Sequence, residues 1–140
     1  MREVLDRAMA LWSARIAEGE DGVAQFATVY ADPVSVNGQD MPLARLVDRA
    51  RALSGVVTDR QHAVHDLVEG PGYLAVAFEI RARHTGPWTA PDGTVRAPTG
   101  REVVVQGLDI FRFDDAGRVR ALWAVNDLGD ALARAQSSPR

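Results

Sequence analysis

The chain contains no cysteine, and every one of its sixteen basic residues is arginine, so lysine is absent as well. Without thiols there are no disulfides, no thiolate nucleophile, no iron–sulfur cluster and no cysteine-ligated zinc. Without a lysine amine, Schiff-base chemistry is excluded, including that of pyridoxal phosphate. No apolar run approaches the ~18 residues of a membrane span. The net charge of −3 offers no positive surface for a nucleic-acid backbone. Imidazole is scarce too: His62, His65 and His84 are all there is. What remains is an ordinary globule of 140 residues, 46% hydrophobic and 25% charged. A chain of that length buries roughly 70% of its unfolded surface in one core. The opening stretch is amphipathic and carries acids, unlike a signal peptide, so a cytoplasmic protein with neither membrane nor nucleic-acid partners is expected.

The hydrophobic pattern changes period part-way along. In residues 2–18, Val4, Leu5, Ala8, Leu11, Trp12 and Ile16 recur at helical spacing, and Gly19 stops them. A second helix is expected over 21–30, with Val23, Phe26 and Val29 to bury, and Asp32-Pro33 breaks it. Val34–Gly38 reads as a short strand ending in a turn. Pro42 opens a third helix to Leu53, with Leu43, Leu46, Val47 and Leu53 as its stripe. From Asp59 the period is two. Strands are expected over 60–69 and 73–84, joined at Gly70-Pro71-Gly72, and over 101–113 and 118–127, turning at Asp114–Gly117. A loop rich in Gly, Pro and Thr fills 85–100, and a short helix is expected over 130–136. One domain, 1–136, with a flexible tail at 137–140, follows. Helices first and a long antiparallel meander after describe an α+β fold. Three N-terminal helices cover a curved antiparallel sheet, and the resulting cone encloses a cavity; glycines 86, 100 and 107 are candidate bends.

One residue breaks the pattern. In GLDIFRF, Asp109 shares its strand face with Val103, Val105, Gly107, Phe111 and Phe113. An acid there is either a structural group held by an arginine or backbone amides, or a functional group aimed into the cavity. Burial raises the pKa of a carboxylic acid, and a protonated Asp109 can donate a hydrogen bond to a developing enolate.

The ordered set RHTGPW, APTG, GLDIFRF, DDAGRVRALW resembles the SnoaL-like polyketide cyclases of the nuclear transport factor 2-like superfamily, over nearly the whole chain. The resemblance implies the cone-shaped fold, an apolar small-molecule substrate, no cofactor and no metal, and a homodimer paired through the outer sheet face at Tyr73, Ala75 and Ala77. It also implies site positions. Asp109 matches an acid that ketosteroid isomerase uses protonated. Asn37 falls where that enzyme has its general base, and Trp12 near its oxyanion tyrosine. The cyclases carry a catalytic Asp in the last strand; here that position is Ala124, and their neighbouring His is Leu122.

The expected catalytic groups are therefore Asp109 and His84, the latter on the same parity as Phe78 and Ile80. His84 equally suits an anchor for the following loop. Substrate contacts are expected from Trp12, Tyr30, Asn37, His62, Trp88, Phe111, Leu122 and Asn126, with Trp88 either a lid aromatic or an ordinary contact. Asp127 reads as a helix cap. His65 falls on the outer face, and ligands from opposite faces cannot converge on a metal. An enzyme performing cyclisation or isomerisation by acid/base catalysis is the leading expectation. A silent ligand-binding or scaffold domain is the alternative, as is an epoxide hydrolase or dehydratase, for which no inward arginine is evident.

Overall fold

The computed structural model describes residues 1–137. Helix α1 spans Arg2–Ser13, α2 Gly19–Ala27, α3 Leu43–Ser54 and α4 Leu128–Ser137. The strands are β1 Tyr30–Val36, β2 Gln39–Met41, β3 Val57–Gly70, β4 Tyr73–His84, β5 Trp88–Thr89, β6 Val95–Arg96, β7 Glu102–Phe113 and β8 Val119–Asn126. Six of them form one sheet in the order β2-β1-β8-β7-β4-β3, while β5 and β6 pair in the 85–100 loop. The architecture is the expected α+β cone with one correction. The sheet is mixed, because β1 runs parallel to β8; the expected C-terminal helix, α4, also covers it beside the three N-terminal ones. The expected tail begins at Ser137, which ends α4; its remaining three residues lie outside the described chain.

Helix α1 stops at Ser13, five residues short of the expected end at 18. The segment after it is extended because tertiary partners satisfy its backbone. The Arg51 guanidinium donates to the carbonyls of Ala17 (2.6 Å) and Gly19 (3.2 Å), and the Ala17 N–H donates to Gln25 Oε1 at 3.3 Å. Ile16 is still buried. Helix α3 begins where expected, and Asp32 reaches across to accept the Leu43 N–H at 3.0 Å, satisfying one of its orphan donors.

Strand β3 carries two register shifts, between Thr58 and Gln61 and between Val64 and Asp66. Each bulge adds bend and twist, and the second moves the inward face from even to odd residues. The sheet therefore wraps around the helices. Gly107 belongs to this curvature in a specific way. It stands opposite Phe78 on β4, and a Cβ there would meet the Phe78 ring at 2.4 Å. The glycine lets that ring lie flat against β7, inside the cone.

Two buried clusters result. The larger joins Phe26, Leu43, Leu46 and Val47 of the helices to Val34, Val36, Leu74, Val76 and Phe111 of the sheet. The smaller joins Val57, Ala82 and Val103 to Leu132 and Ala135 of α4. Each large apolar side chain so buried contributes about 1.5–3 kcal/mol. Among the described residues no helix is long and apolar enough to cross a membrane.

Candidate active site

The larger cluster is not filled. A cavity of about 310 Å³ lies between α1, α3 and the inner sheet face, walled by Leu5, Met9, Val76, Phe78 and Ile80 among others. Asp109 projects into it from β7. Its ladder neighbours are Val76 on β4 and Ala124 on β8, and Phe111 follows it on the same face. Burial alone pushes its carboxyl up from 3.8 to about 7. Among the described residues no hydrogen bond or ion pair opposes that shift.

Tyr30, at the start of β1, faces the same space. Its hydroxyl accepts a hydrogen bond from the Trp12 indole at 2.9 Å, and its ring stacks on Phe26 at 5.8 Å. Burial raises the Tyr30 pKa, the Trp12 bond opposes, and the Asp109 charge adds to the rise. The phenol is thus locked in its protonated form near Asp109. Its own hydrogen has no acceptor among the described residues, so it is available to a ligand.

His62 enters from β3. Its Nδ1 shares a 2.6 Å hydrogen bond with Ser13 Oγ, and its ring lies 6.0 Å from that of Phe78. Burial lowers its pKa, and the nearby Arg60 charge lowers it further. It is a neutral imidazole at neutral pH.

The remaining expected residues divide. Phe111 and Leu122 form apolar wall, and Trp12, Asn37 and Asn126 also line the cavity. Asn37 is occupied, however. Its φ is +51°, its Nδ2 donates to the Ala124 carbonyl (3.3 Å), and its Oδ1 accepts the Ala124 N–H (2.8 Å). It extends the β1–β8 pairing with its side chain. Asn126 accepts the Leu128 N–H at 3.1 Å and so caps α4, the role expected of Asp127. Asp127 instead accepts the Gln106 N–H at 2.7 Å and pairs with Arg134 at 3.3 Å.

The structure places His84 and Trp88 outside this cavity. His84 is fully buried on the predicted face but lies beyond the cavity, its two ring nitrogens without hydrogen-bond partners. Its backbone, not its ring, anchors the loop: it donates to the Arg101 carbonyl and accepts from the Gly100 N–H. Trp88 packs beside Leu128 against the smaller cluster, close to Gly129, and is no lid. Two residues at or beside the cavity were not among those expected. Arg49, exposed on α3, lines the edge of the cavity; its place between Leu46 and Leu53 at helical spacing was the available signal. Ser13 had none, because its partner is 49 residues away. With Asp109 as the one carboxylate in the lining, an acid–arginine–acid relay is not assembled. Among the described residues no group of three His, Asp or Glu converges as a metal site.

Comparison with curated proteins finds no match. Solved structures share the fold. TsrD from Streptomyces laurentii is 18% identical over 99% of this chain and 95% of its own, with a TM-score of 0.75. A SnoaL-like polyketide cyclase from Agrobacterium tumefaciens is 19% identical, covering 96% and 98%, at 0.69. A protein of ketosteroid isomerase-like fold from Catenulispora acidiphila, in complex with trimethylamine, is 12% identical over 98% of each chain, also at 0.69. Identities this low establish fold and not chemistry. The family model for SnoaL-like polyketide cyclases matches residues 3–134, and the chain belongs to that family.

Proposed function

We propose that the protein is a cofactor-free acid/base enzyme that cyclises or isomerises an apolar, polyketide-like intermediate, with Asp109 as the proton-transferring group. The observation that carries this is a carboxyl held near neutrality by an apolar cavity, beside a phenol whose hydrogen is unspent. A catalytic group titrating near the working pH is present in both forms, which suits removal and return of one proton. The Asp109 carboxylate takes a proton from carbon α to a carbonyl. The electron pair moves to the carbonyl oxygen, and Tyr30 O–H donates to that oxygen as charge develops. The enolate then attacks a second carbonyl of the substrate or is reprotonated, and Asp109 gives the proton back.

His62 serves substrate contact better than this proton transfer. It pairs with Ile80 while Asp109 pairs with Val76, and β4 lies between them. Two strand spacings across the sheet are about 10 Å, so the two groups address different ends of a ligand. Ala124 fits the same reading. It faces Asp109 directly across the β7–β8 ladder, where Cβ atoms lie about 5 Å apart. The acid found on the last strand in other family members is replaced by one a single strand over, and alanine leaves room for substrate.

Ring opening of 5-nitrobenzisoxazole tests the assignment without the natural substrate. A base removes the C3 proton, the N–O bond breaks, and the nitrophenolate absorbs. The rate is expected to rise with pH to a plateau, with its midpoint near 7. Asp109→Asn is expected to lose at least ~100-fold. A rate indifferent to that change removes Asp109 from the chemistry. Ala124 and Leu122, replacing acid and imidazole, favour a second reading, a silent binding domain, for which binding without any turnover is the signature.

A homodimer completes the proposal. Leu108 and Ile110 of β7 pair with Val125 and Trp123 of β8 on the outer face, all of them exposed, next to Ala75 and Ala77. A contiguous apolar patch of this kind is costly in water, and a second copy is the occupant proposed. Sedimentation of the wild type as a dimer, and of Trp123→Arg as a folded monomer, is the expected result. Monomeric wild type at micromolar concentration contradicts it.

A further inference from the structure

Among the described residues Arg49 is the one arginine in the cavity lining, and it differs from Arg51 and Arg60 nearby. Arg51 pairs with Asp48 at 3.4 Å and donates to two carbonyls, and Arg60 donates to Ser54 Oγ at 2.9 Å. Arg49 makes no hydrogen bond or ion pair among the described residues. Its own helix places no acid on its face, since its neighbours three and four residues away are Arg45, Leu46, Ala52 and Leu53 and the helix's one acid, Asp48, pairs with Arg51. Yet it is exposed and belongs to the cavity wall between Leu46 and Leu53. The lining thus holds a fixed positive charge at its wet edge and an apolar interior beyond it. The one acid in that interior is protonated below about pH 7, so it does not neutralise the arginine there.

From this arrangement we infer that Arg49 reads a carboxylate on the ligand: the substrate is an apolar ring system bearing a free acid that stays at the mouth while the rings enter. The inference deepens the reading of the cavity as a substrate site and rests on it. A guanidinium presents parallel N–H donors that match the two oxygens of a carboxylate, a geometry an ester or an amide offers only in part. The apolar body then sets depth, and the ion pair sets orientation. The carbon to be deprotonated lies toward Asp109, and the acid points away from it. Such an orientation also keeps the substrate's negative charge from the Asp109 carboxylate during catalysis.

The probes are 2-naphthoate and 2-naphthamide, which share shape and differ in charge. Binding is measured by calorimetry at pH 6 and low ionic strength, where the probe acid is ionised. The wild type is expected to bind the carboxylate about tenfold more tightly than the amide, with the preference shrinking in high salt. In Arg49→Met, amide affinity is expected to persist while the preference vanishes; Arg49→Lys is expected to retain part of it. Equal affinities in the wild type, or a preference surviving Arg49→Met, overturn the inference. The Asp109→Asn variant separates the two proposals. If it keeps the carboxylate preference while the wild type shows no turnover, the acid/base reading fails and the reading of Arg49 stands.

Discussion

One face of β4 runs through two different environments. Val76, Phe78 and Ile80 border a hollow, whereas Ala82 and His84, on the same face and strand, lie in solid packing. The strand does not differ between the two halves; the cover does. Over the first half lie α1 and α3, whose Met9, Trp12 and Leu46 stand off from the sheet and leave about 310 Å³. Over the second lies α4, whose contacts are Ala131, Leu132 and Ala135. Two alanines and one leucine bring a helix close, so the cavity beside Asp109 does not extend to Ala82 and His84. Parity decides which way a side chain points, and the covering helix decides whether it points at a ligand or at a wall.

The sharpest way to break this contrast is to hollow out the filled end. Leu132 is completely buried against Val57, Ala82 and Val103. Leu132→Ala is expected to cost about 2–5 kcal/mol, the range for truncating a buried leucine, measured by urea unfolding. Turnover of the benzisoxazole per folded molecule is expected to stay unchanged. A proportionate fall in turnover means that the two ends are one cooperative site.

The same contrast explains what was readable from the residues. Strands β4, β7 and β8 were found almost to the residue because their period-two patterns are long and bounded by glycine turns. Asp109 was found because an acid breaks such a pattern. The early end of α1 was not, because Arg51 and Gln25, far along the chain, hold the backbone of residues 17 and 19. That His62 and not His84 lines the cavity was hidden for a related reason. Both have inward parity, but the α4 cover that closes over the His84 end leaves no signal in β4. The bulge after Val64 likewise cannot be seen in composition.

A second test acts on the hollow end through pH. Asp109 has a folded pKa raised from 3.8 to about 7, so between those values the folded state holds a proton that the unfolded chain has released. Stability must therefore fall as pH rises from about 4 to 7 and level off above. The rise corresponds to at most about 4 kcal/mol, and about 2 is expected once solvent at the half-buried site is allowed for. Asp109→Asn is expected to be more stable than the wild type at pH 8 by that amount, with the difference gone below pH 4. Melting curves of the two proteins across this range measure it directly. Loss of turnover combined with gain of stability is what a functional acid in an apolar wall predicts, and a structural acid predicts the reverse.

The smallest effect expected is at His84, and it bears most directly on the comparison. The ring is fully buried, and neither nitrogen has a hydrogen-bond partner. An unpaired buried polar group costs about 1–3 kcal/mol, so an apolar side chain of similar volume removes a penalty without opening a void. His84→Leu is expected to leave stability equal or raise it by about 1 kcal/mol, and to leave turnover within about twofold. His62→Leu, at the hollow end, is expected to weaken binding of the naphthyl probes or slow turnover, because its ring nitrogen beyond the Ser13 bond is open to a ligand. If His84→Leu were the variant to lose turnover, the filled end would be reaching the chemistry, and the division drawn by α4 would not hold.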